Sequence, residues 1–161
     1  MNSRILASRR PAMAAMLMVL SATAVLAQVK TLEVQGSFDG HGIGVVQPPN
    51  LQATASGAGN ASKIGRFTYA LQAAVNGLNN TSSGVFLLVF NNGDVIHGVL
   101  SGHGGLAGPN NIVENLTING GTGRFDGATG SFTFDRIIDP STLPAFESHS
   151  GTLTGTISTP K

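Results

Sequence analysis

From residue 29 to residue 158, short runs of alternating apolar and polar side chains are separated by segments rich in glycine, proline and asparagine. The clearest run covers residues 66–75, in which Phe67, Tyr69 and Leu71 share one face. A period of two predicts a β-strand that buries one face and exposes the other. The pattern predicts eight strands, over residues 29–37, 51–57, 66–75, 85–90, 95–103, 111–119, 129–138 and 149–158.

Turn-forming segments join these strands in sequence order. The segment at 91–94 reads Asn-Asn-Gly-Asp, and such residues tolerate the positive φ angles that a tight hairpin requires. Residues 66–76 are the segment after the leader that is most compatible with a helix, but their β-branched and aromatic content favours a strand. We therefore predict an all-β fold, an eight-stranded antiparallel up-and-down barrel without exposed edges. A two-sheet β-sandwich is the alternative.

Residues 1–27 have the three parts of a secretory signal peptide. Arg4, Arg9 and Arg10 form a basic start without an acidic residue, and the apolar run of residues 12–26 follows. That run is shorter than the roughly 20 residues that span a bilayer. We predict removal of residues 1–27, a secreted or periplasmic location, and one mature domain over residues 28–161 without a membrane span.

Removal of the leader changes the charge of the chain. The mature part keeps six Lys and Arg against eight Asp and Glu, a net charge of −2 where the whole chain has +1. Without a basic patch, binding to nucleic acid is not expected. The chain has no cysteine, which excludes disulfides, thiol nucleophiles and zinc–thiolate sites. The hydrophobic core alone must therefore hold the domain together.

Residues 118–130 form a glycine-rich segment between two predicted strands. Its pattern Gly-Gly-Thr-Gly-x-Phe-x-x-Ala-x-Gly resembles the motif shared by plant allene oxide cyclases and dirigent proteins. Residues 57–68 are similar to the matching segment of exported bacterial proteins of that type, and residues 137–140, leading to Leu143, are similar to the cyclase end. The resemblance implies an eight-stranded calycin-like β-barrel. The resemblance also implies a homo-oligomer, a trimer as in related barrels, and no other feature of the sequence indicates one.

Backbone stereochemistry accounts for the glycine-rich segment without any catalysis. Its glycines permit a sharp turn and a close strand start, and its Phe and Ala are predicted to cover the end of the barrel. We interpret six residues as structural, namely Gly120, Gly121, Gly123, Phe125, Ala128 and Gly130. Arg124 and Asp126 are expected to be solvated loop charges. The Lys-Ser/Thr pair and following helix of a phosphate-binding loop are missing, which excludes that site.

Three polar residues keep the phase of the apolar side chains on their own strands and are predicted to point into the barrel lumen. These candidate catalytic residues are Tyr69, Glu114 and His149. A buried carboxyl group among them would suit acid–base chemistry. The structural interpretation is that Glu114 and His149 lie near strand ends and reach water. The acidic catalytic residue of the cyclases lies on the first strand, but Glu33 faces the polar side there and is not assigned that role.

The four histidines of the chain do not form a metal-binding pattern. His97 and His103 share a strand face but are separated by about 20 Å, at ~3.3 Å per residue. Zinc and copper sites need ligands that converge on one point. We expect neither a metal nor a cofactor.

Two classes of function remain open. The first is an exported barrel without catalytic activity that binds a small apolar ligand or serves as a structural or surface module. The second, implied by the resemblance, is a cofactor-free cyclase or isomerase, or a dirigent-like guide of coupling, whose lumen shapes a small substrate. Abundant Gly, Ser and Thr and few polar groups that could converge favour the first class. The size and lining of the lumen distinguish the two.

Overall fold

The computed structural model describes residues 28–104, 111–139 and 147–160, except for the side chain of Glu147. The predicted signal peptide, residues 1–27, lies outside these ranges. The described chain forms eight strands and a 3₁₀ turn at Gly123–Phe125. The strands are β1 (Val29–Gln47), β2 (Asn50–Ala61), β3 (Gly65–Asn76), β4 (Thr81–Phe90), β5 (Val95–Gly104), β6 (Asn111–Gly121), β7 (Thr129–Asp139) and β8 (Glu147–Pro160).

The strands form one closed barrel in sequence order. Each strand pairs antiparallel with the next, and β8 returns to pair with β1. The closing pairing runs from Val29 opposite Pro160 to Gly42 opposite Glu147. These contacts confirm the predicted eight-stranded antiparallel barrel and exclude the β-sandwich. Closure also removes the unpaired edges on which sheets of separate molecules associate.

Three strands, β1, β2 and β4, extend four or more residues beyond their predicted ends. β1 continues to Gln47 instead of ending at residue 37, because residues 36–47 pair without interruption with β2. Its glycines lower the local preference for a strand, but pairing with the neighbouring strand overrides that preference. β4 begins at Thr81, four residues before its predicted start at residue 85. The predicted turn at 91–94 separates β4 from β5.

Side chains that point into the barrel make up its core. Along β3 and β7 the buried positions alternate with exposed ones, as a sheet with one covered face requires. The largest fully buried side chains come from five strands and the β2–β3 turn and are Ile64, Leu88, Ile96, Leu116, Phe132, Phe134, Leu153 and Ile157. In the described ranges, no helix has the length and apolar character of a membrane-crossing helix.

The glycine-rich segment covers one end of the barrel, called the closed end below. Phe125 and Ala128 are buried there, and the Phe125 ring lies 4.6 Å from that of Phe90. The guanidinium of Arg124 lies 4.5 Å from the centroid of the Phe125 ring and 5.1 Å from that of Phe90. Arg124 also donates a hydrogen bond to the carbonyl of Ile64. It therefore packs over the closed end rather than being only a solvated loop charge.

Substitution of Gly123 should weaken the closed end. Gly123 has a φ of +57°, and a Cβ atom there would collide with the carboxylate of Asp94, which accepts a hydrogen bond from the backbone N–H of Arg124. The left-handed conformation alone costs a non-glycine residue about 1–2 kcal/mol. We expect Gly123→Ala to lower the free energy of unfolding in urea by more than that amount.

Gly93→Ala is the matched control for this prediction. Gly93 has a φ of +84° and no atom within 4 Å of an added Cβ, so its substitution carries the conformational cost without the collision. Equal losses of unfolding free energy in Gly123→Ala and Gly93→Ala would show that the contact with Asp94 does not restrict position 123.

Candidate functional site

The end of the lumen opposite the closed end carries buried polar side chains. They come from β3, β6, β7 and β8, and each exposes 5% or less of its surface: Tyr69, Glu114, Arg136 and His149. Burial of polar groups is costly unless they find hydrogen-bonding partners. These four side chains form two hydrogen-bonded pairs. We call this region the polar end.

The first pair is a hydrogen bond of 2.5 Å between the hydroxyl of Tyr69 and Nε2 of His149. The two residues lie on β3 and β8, three strand positions apart around the barrel. In the register between them, His149 is opposite Gly40, Gly40 is opposite Gly57, and Gly57 is opposite Tyr69. A Cβ atom on either glycine would meet the tyrosine hydroxyl. The two glycines therefore provide the space through which the phenol reaches His149.

Aromatic rings surround this hydrogen bond. The Phe38 ring stacks on that of Phe134 with centroids 4.2 Å apart, and it meets Tyr69 edge-on at 5.3 Å. Phe134 also meets Tyr69 edge-on, at 5.7 Å. Such offset and edge-on geometries are the favourable ones for aromatic pairs. The rings hold the phenol in one orientation and form an apolar floor beneath the polar end.

The second pair is a buried ion pair between adjacent strands. Arg136 on β7 donates from Nε to one carboxylate oxygen of Glu114 at 3.0 Å, and from Nη2 to the other at 2.9 Å. This two-point geometry matches the planar guanidinium to the planar carboxylate. Because both carboxylate oxygens accept bonds from Arg136, the two charges compensate each other inside the barrel.

The three predicted site residues are thus brought to one end of the lumen, where they take part in the two pairs described. Tyr69 contacts His149, whereas Glu114 contacts Arg136. Arg136 is opposite Gly151, which makes it the diagonal neighbour of His149 across the β7–β8 pairing, at about 7–8 Å between backbone positions. The roles proposed for these residues in catalysis stay predictions.

Arg136 was not among the site residues predicted from the sequence. Alternation along β7 places it in phase with Phe132 and Phe134, which are both buried. A charged residue in phase with buried aromatic residues requires a partner inside the barrel. That pattern, combined with Glu114 in phase on the preceding strand, would have predicted the ion pair.

Small residues occupy several inward positions on β2 to β5 at this end. Ala53, Ala55, Ala73, Gly84 and Gly102 lie there among larger inward residues that include Leu51, Leu71 and Val75. Three of the small residues, on β2, β4 and β5, are only half-buried. At the rim is a depression of about 260 Å³ whose lining includes Asn50, Val75 and Ser82. The polar end therefore combines buried polar pairs with a partly open rim.

A larger groove, of about 580 Å³, lies on the outside of the barrel across β1 to β4. Its rims carry Ile43, Val85 and Leu87, and its lining contains no Lys, Arg, Asp or Glu. The polar contact described within it is a 3.5 Å approach of His41 to Ser56. Over the described part of the chain, no three His, Asp or Glu side chains lie close enough together to hold a metal ion.

Comparisons with known proteins place the fold. No protein-family model matches the chain, and no curated protein sequence matches it. Among solved structures, it is similar to the pterocarpan synthase dirigent protein, with a TM-score of 0.53 and 12% sequence identity. The match covers 83% of this chain and 87% of that one. The chain therefore has a dirigent-like barrel fold, in agreement with the resemblance carried by its glycine-rich segment.

Proposed function

We propose that the protein is an exported, non-enzymatic β-barrel that binds a small, uncharged, mainly apolar molecule at the polar end of its lumen. The observation that carries this proposal is the combination of small and polar side chains at that end. Half-buried Gly and Ala residues on β2, β4 and β5 lie beside the buried Tyr69–His149 and Glu114–Arg136 pairs and the aromatic floor. Ligand sites in proteins are typically concave and mainly apolar, with few polar groups that orient the ligand.

The charge of the polar end limits the chemistry of the ligand. Glu114 and Arg136 neutralise each other, so a charged ligand would enter a low-dielectric site without a free counter-charge. Transfer of an unpaired charge from water into such a site is strongly unfavourable. The rim depression, smaller than the ~300 Å³ of ordinary ligand sites, favours a molecule of small size.

Native mass spectrometry of the protein purified from its own host tests the proposal. We expect a chain that begins at Gln28 and retains a bound molecule lost on denaturation. The same spectrum counts the copies in the particle, and so tests the trimer expected from the resemblance. A chain that retains residues 1–27 would contradict export.

A matched pair of variants tests where the ligand binds. Ala73 points into the lumen and is buried, whereas Ala58 on β2 points outward, is exposed and does not line the rim depression. Ala73→Leu should fill space at the polar end and abolish binding of an apolar fluorescent probe, N-phenyl-1-naphthylamine, while Ala58→Leu binds like the wild type. Circular dichroism confirms that both variants fold. Equal binding by the two variants would place the ligand elsewhere.

A second candidate function is cofactor-free catalysis or guidance of coupling in the same lumen. One observation favours it, the hydrogen bond between the Tyr69 hydroxyl and His149 in apolar surroundings, which is a geometry for proton transfer. The solved structure that the chain resembles is named as a synthase and a dirigent protein. Under this alternative the host-derived ligand is consumed on incubation, and Tyr69→Phe retains binding but stops the conversion.

A further inference from the structure

Ser82 is the second residue of β4 and lies at the polar end of the lumen. It is in phase with Phe86 and Leu88, which are buried inward residues. The sequence pattern does not identify Ser82 as an inward residue, because it lies before the predicted start of the strand at residue 85. Its hydroxyl oxygen is buried and has no hydrogen-bond partner among the described residues.

The surroundings of this hydroxyl are small and partly polar. In the register around the barrel, Ser82 is opposite Gly102, and Gly102 is opposite Glu114. The hydroxyl oxygen of Ser82 and Cγ of Glu114 each lie 2.8 Å from the position that a Cβ atom on Gly102 would occupy. Glycine at position 102 therefore leaves space between the serine and the ion pair.

A buried hydroxyl without a partner is unfavourable for the protein alone. Most buried polar side-chain atoms in folded proteins have a partner, and an exception calls for a specific explanation. Ser82 also lines the depression at the rim, so a molecule bound there lies against this residue, and a rotation about χ1 of the serine would turn the hydroxyl toward it. Both carboxylate oxygens of Glu114 accept hydrogen bonds from Arg136. The Ser82 hydroxyl, in contrast, is uncharged and can donate a hydrogen bond.

We infer that the Ser82 hydroxyl donates a hydrogen bond to the ligand, and that the ligand is an uncharged apolar molecule bearing a carbonyl or ether oxygen. This inference rests on the proposed function and specifies the polar group by which the ligand is recognised. The hydroxyl gains the hydrogen-bond partner that the described part of the chain does not provide. The ligand oxygen is then held at the rim, near Gly84 and Gly102.

Two probes of matched shape test the inference. Tetralin is wholly apolar, and 1-tetralone differs from it by one carbonyl group. Their dissociation constants are measured by displacement of N-phenyl-1-naphthylamine from the full mature domain. A neutral hydrogen bond corresponds to a preference of about 3- to 10-fold for 1-tetralone in the wild type. Ser82→Ala should reduce this ratio to about one. The control Ser101→Ala, at an exposed outward position of β5 away from the depression, should keep it.

The outcomes separate the two proposals. If both probes bind but the ratio is one in the wild type, or is unchanged in Ser82→Ala, the role of Ser82 is wrong and the lumen site stands. If neither probe binds the wild type, the proposed function is overturned together with the role of Ser82.

Thermal unfolding gives a second, independent readout. Because the Ser82 hydroxyl lacks a partner in the unliganded protein, Ser82→Ala should leave Tm unchanged or raise it by a few degrees. A lower Tm would show that the hydroxyl has a structural partner, and would overturn the inference.

Discussion

Replacement of Arg136 by methionine should lower the free energy of unfolding by about 3–5 kcal/mol, because it leaves the buried carboxylate of Glu114 without its counter-charge. Glu114 and Arg136 expose 2% and 5% of their surfaces, so water cannot replace the lost guanidinium without a rearrangement of the barrel. Chemical denaturation in urea measures the loss. The exposed Arg66, on the outer face of β3, provides the control: Arg66→Met should change stability by no more than about 0.5 kcal/mol.

The double variant distinguishes the cost of an unpaired charge from the value of the pair. Glu114→Leu combined with Arg136→Met removes both charges and keeps similar side-chain volume. Buried ion pairs replaced in this way often leave stability unchanged or higher. We therefore expect the double variant to be more stable than Arg136→Met alone. If the double variant loses as much unfolding free energy as Glu114→Leu and Arg136→Met lose in sum, this account of the pair is contradicted.

Truncation of Phe134 should have an effect of similar size, for a different reason. Phe134 has no exposed surface and contacts both Phe38 and Tyr69 through its ring. Phe134→Ala removes a buried phenyl group and leaves a cavity, a change that typically costs about 3–5 kcal/mol. Phe134→Leu keeps most of the volume and should cost no more than about 1.5 kcal/mol. Urea denaturation of the two variants gives the comparison.

Tyr69 provides an optical readout for the Phe134 variants. It is the only tyrosine of the chain, which has no tryptophan, so intrinsic fluorescence reports on the polar end alone. Loss of the Phe134 ring should alter the packing of the phenol and therefore its emission, even in conditions where the barrel stays folded. Unchanged emission in Phe134→Ala, together with a small loss of stability, would show that the aromatic floor does not hold Tyr69.

The fold could be predicted from the sequence because its determinants are local. Alternation along each strand identifies the inward face, and the turn residues between strands favour neighbours that pair in sequence order. The same alternation placed Tyr69, Glu114 and His149 on the inward face of their strands, where the structure has them buried. Strand ends were less predictable, since the glycine-rich part of β1 is held in the sheet by its pairing with β2.

The pairing of the polar residues could not be predicted from local pattern. The contact of Tyr69 with His149 depends on Gly40 and Gly57, which lie on two other strands and become neighbours only when the barrel closes. Ser82 was missed because strand β4 extends into a segment whose composition is typical of a loop. Both cases depend on residues that are distant in sequence and adjacent around the barrel.

The pairing of β1 with β8 has a consequence for how the chain reaches its folded state. The other seven strand pairs join consecutive segments and can form as soon as each hairpin is available, but this pair joins the two ends of the described chain. Formation of such a distant contact requires the ends to meet at a large cost in chain entropy. Until residues 147–160 are in place, β1 and β7 each present an unpaired edge. A chain that ends before β8 would therefore be an open sheet with two edges available for association with other molecules.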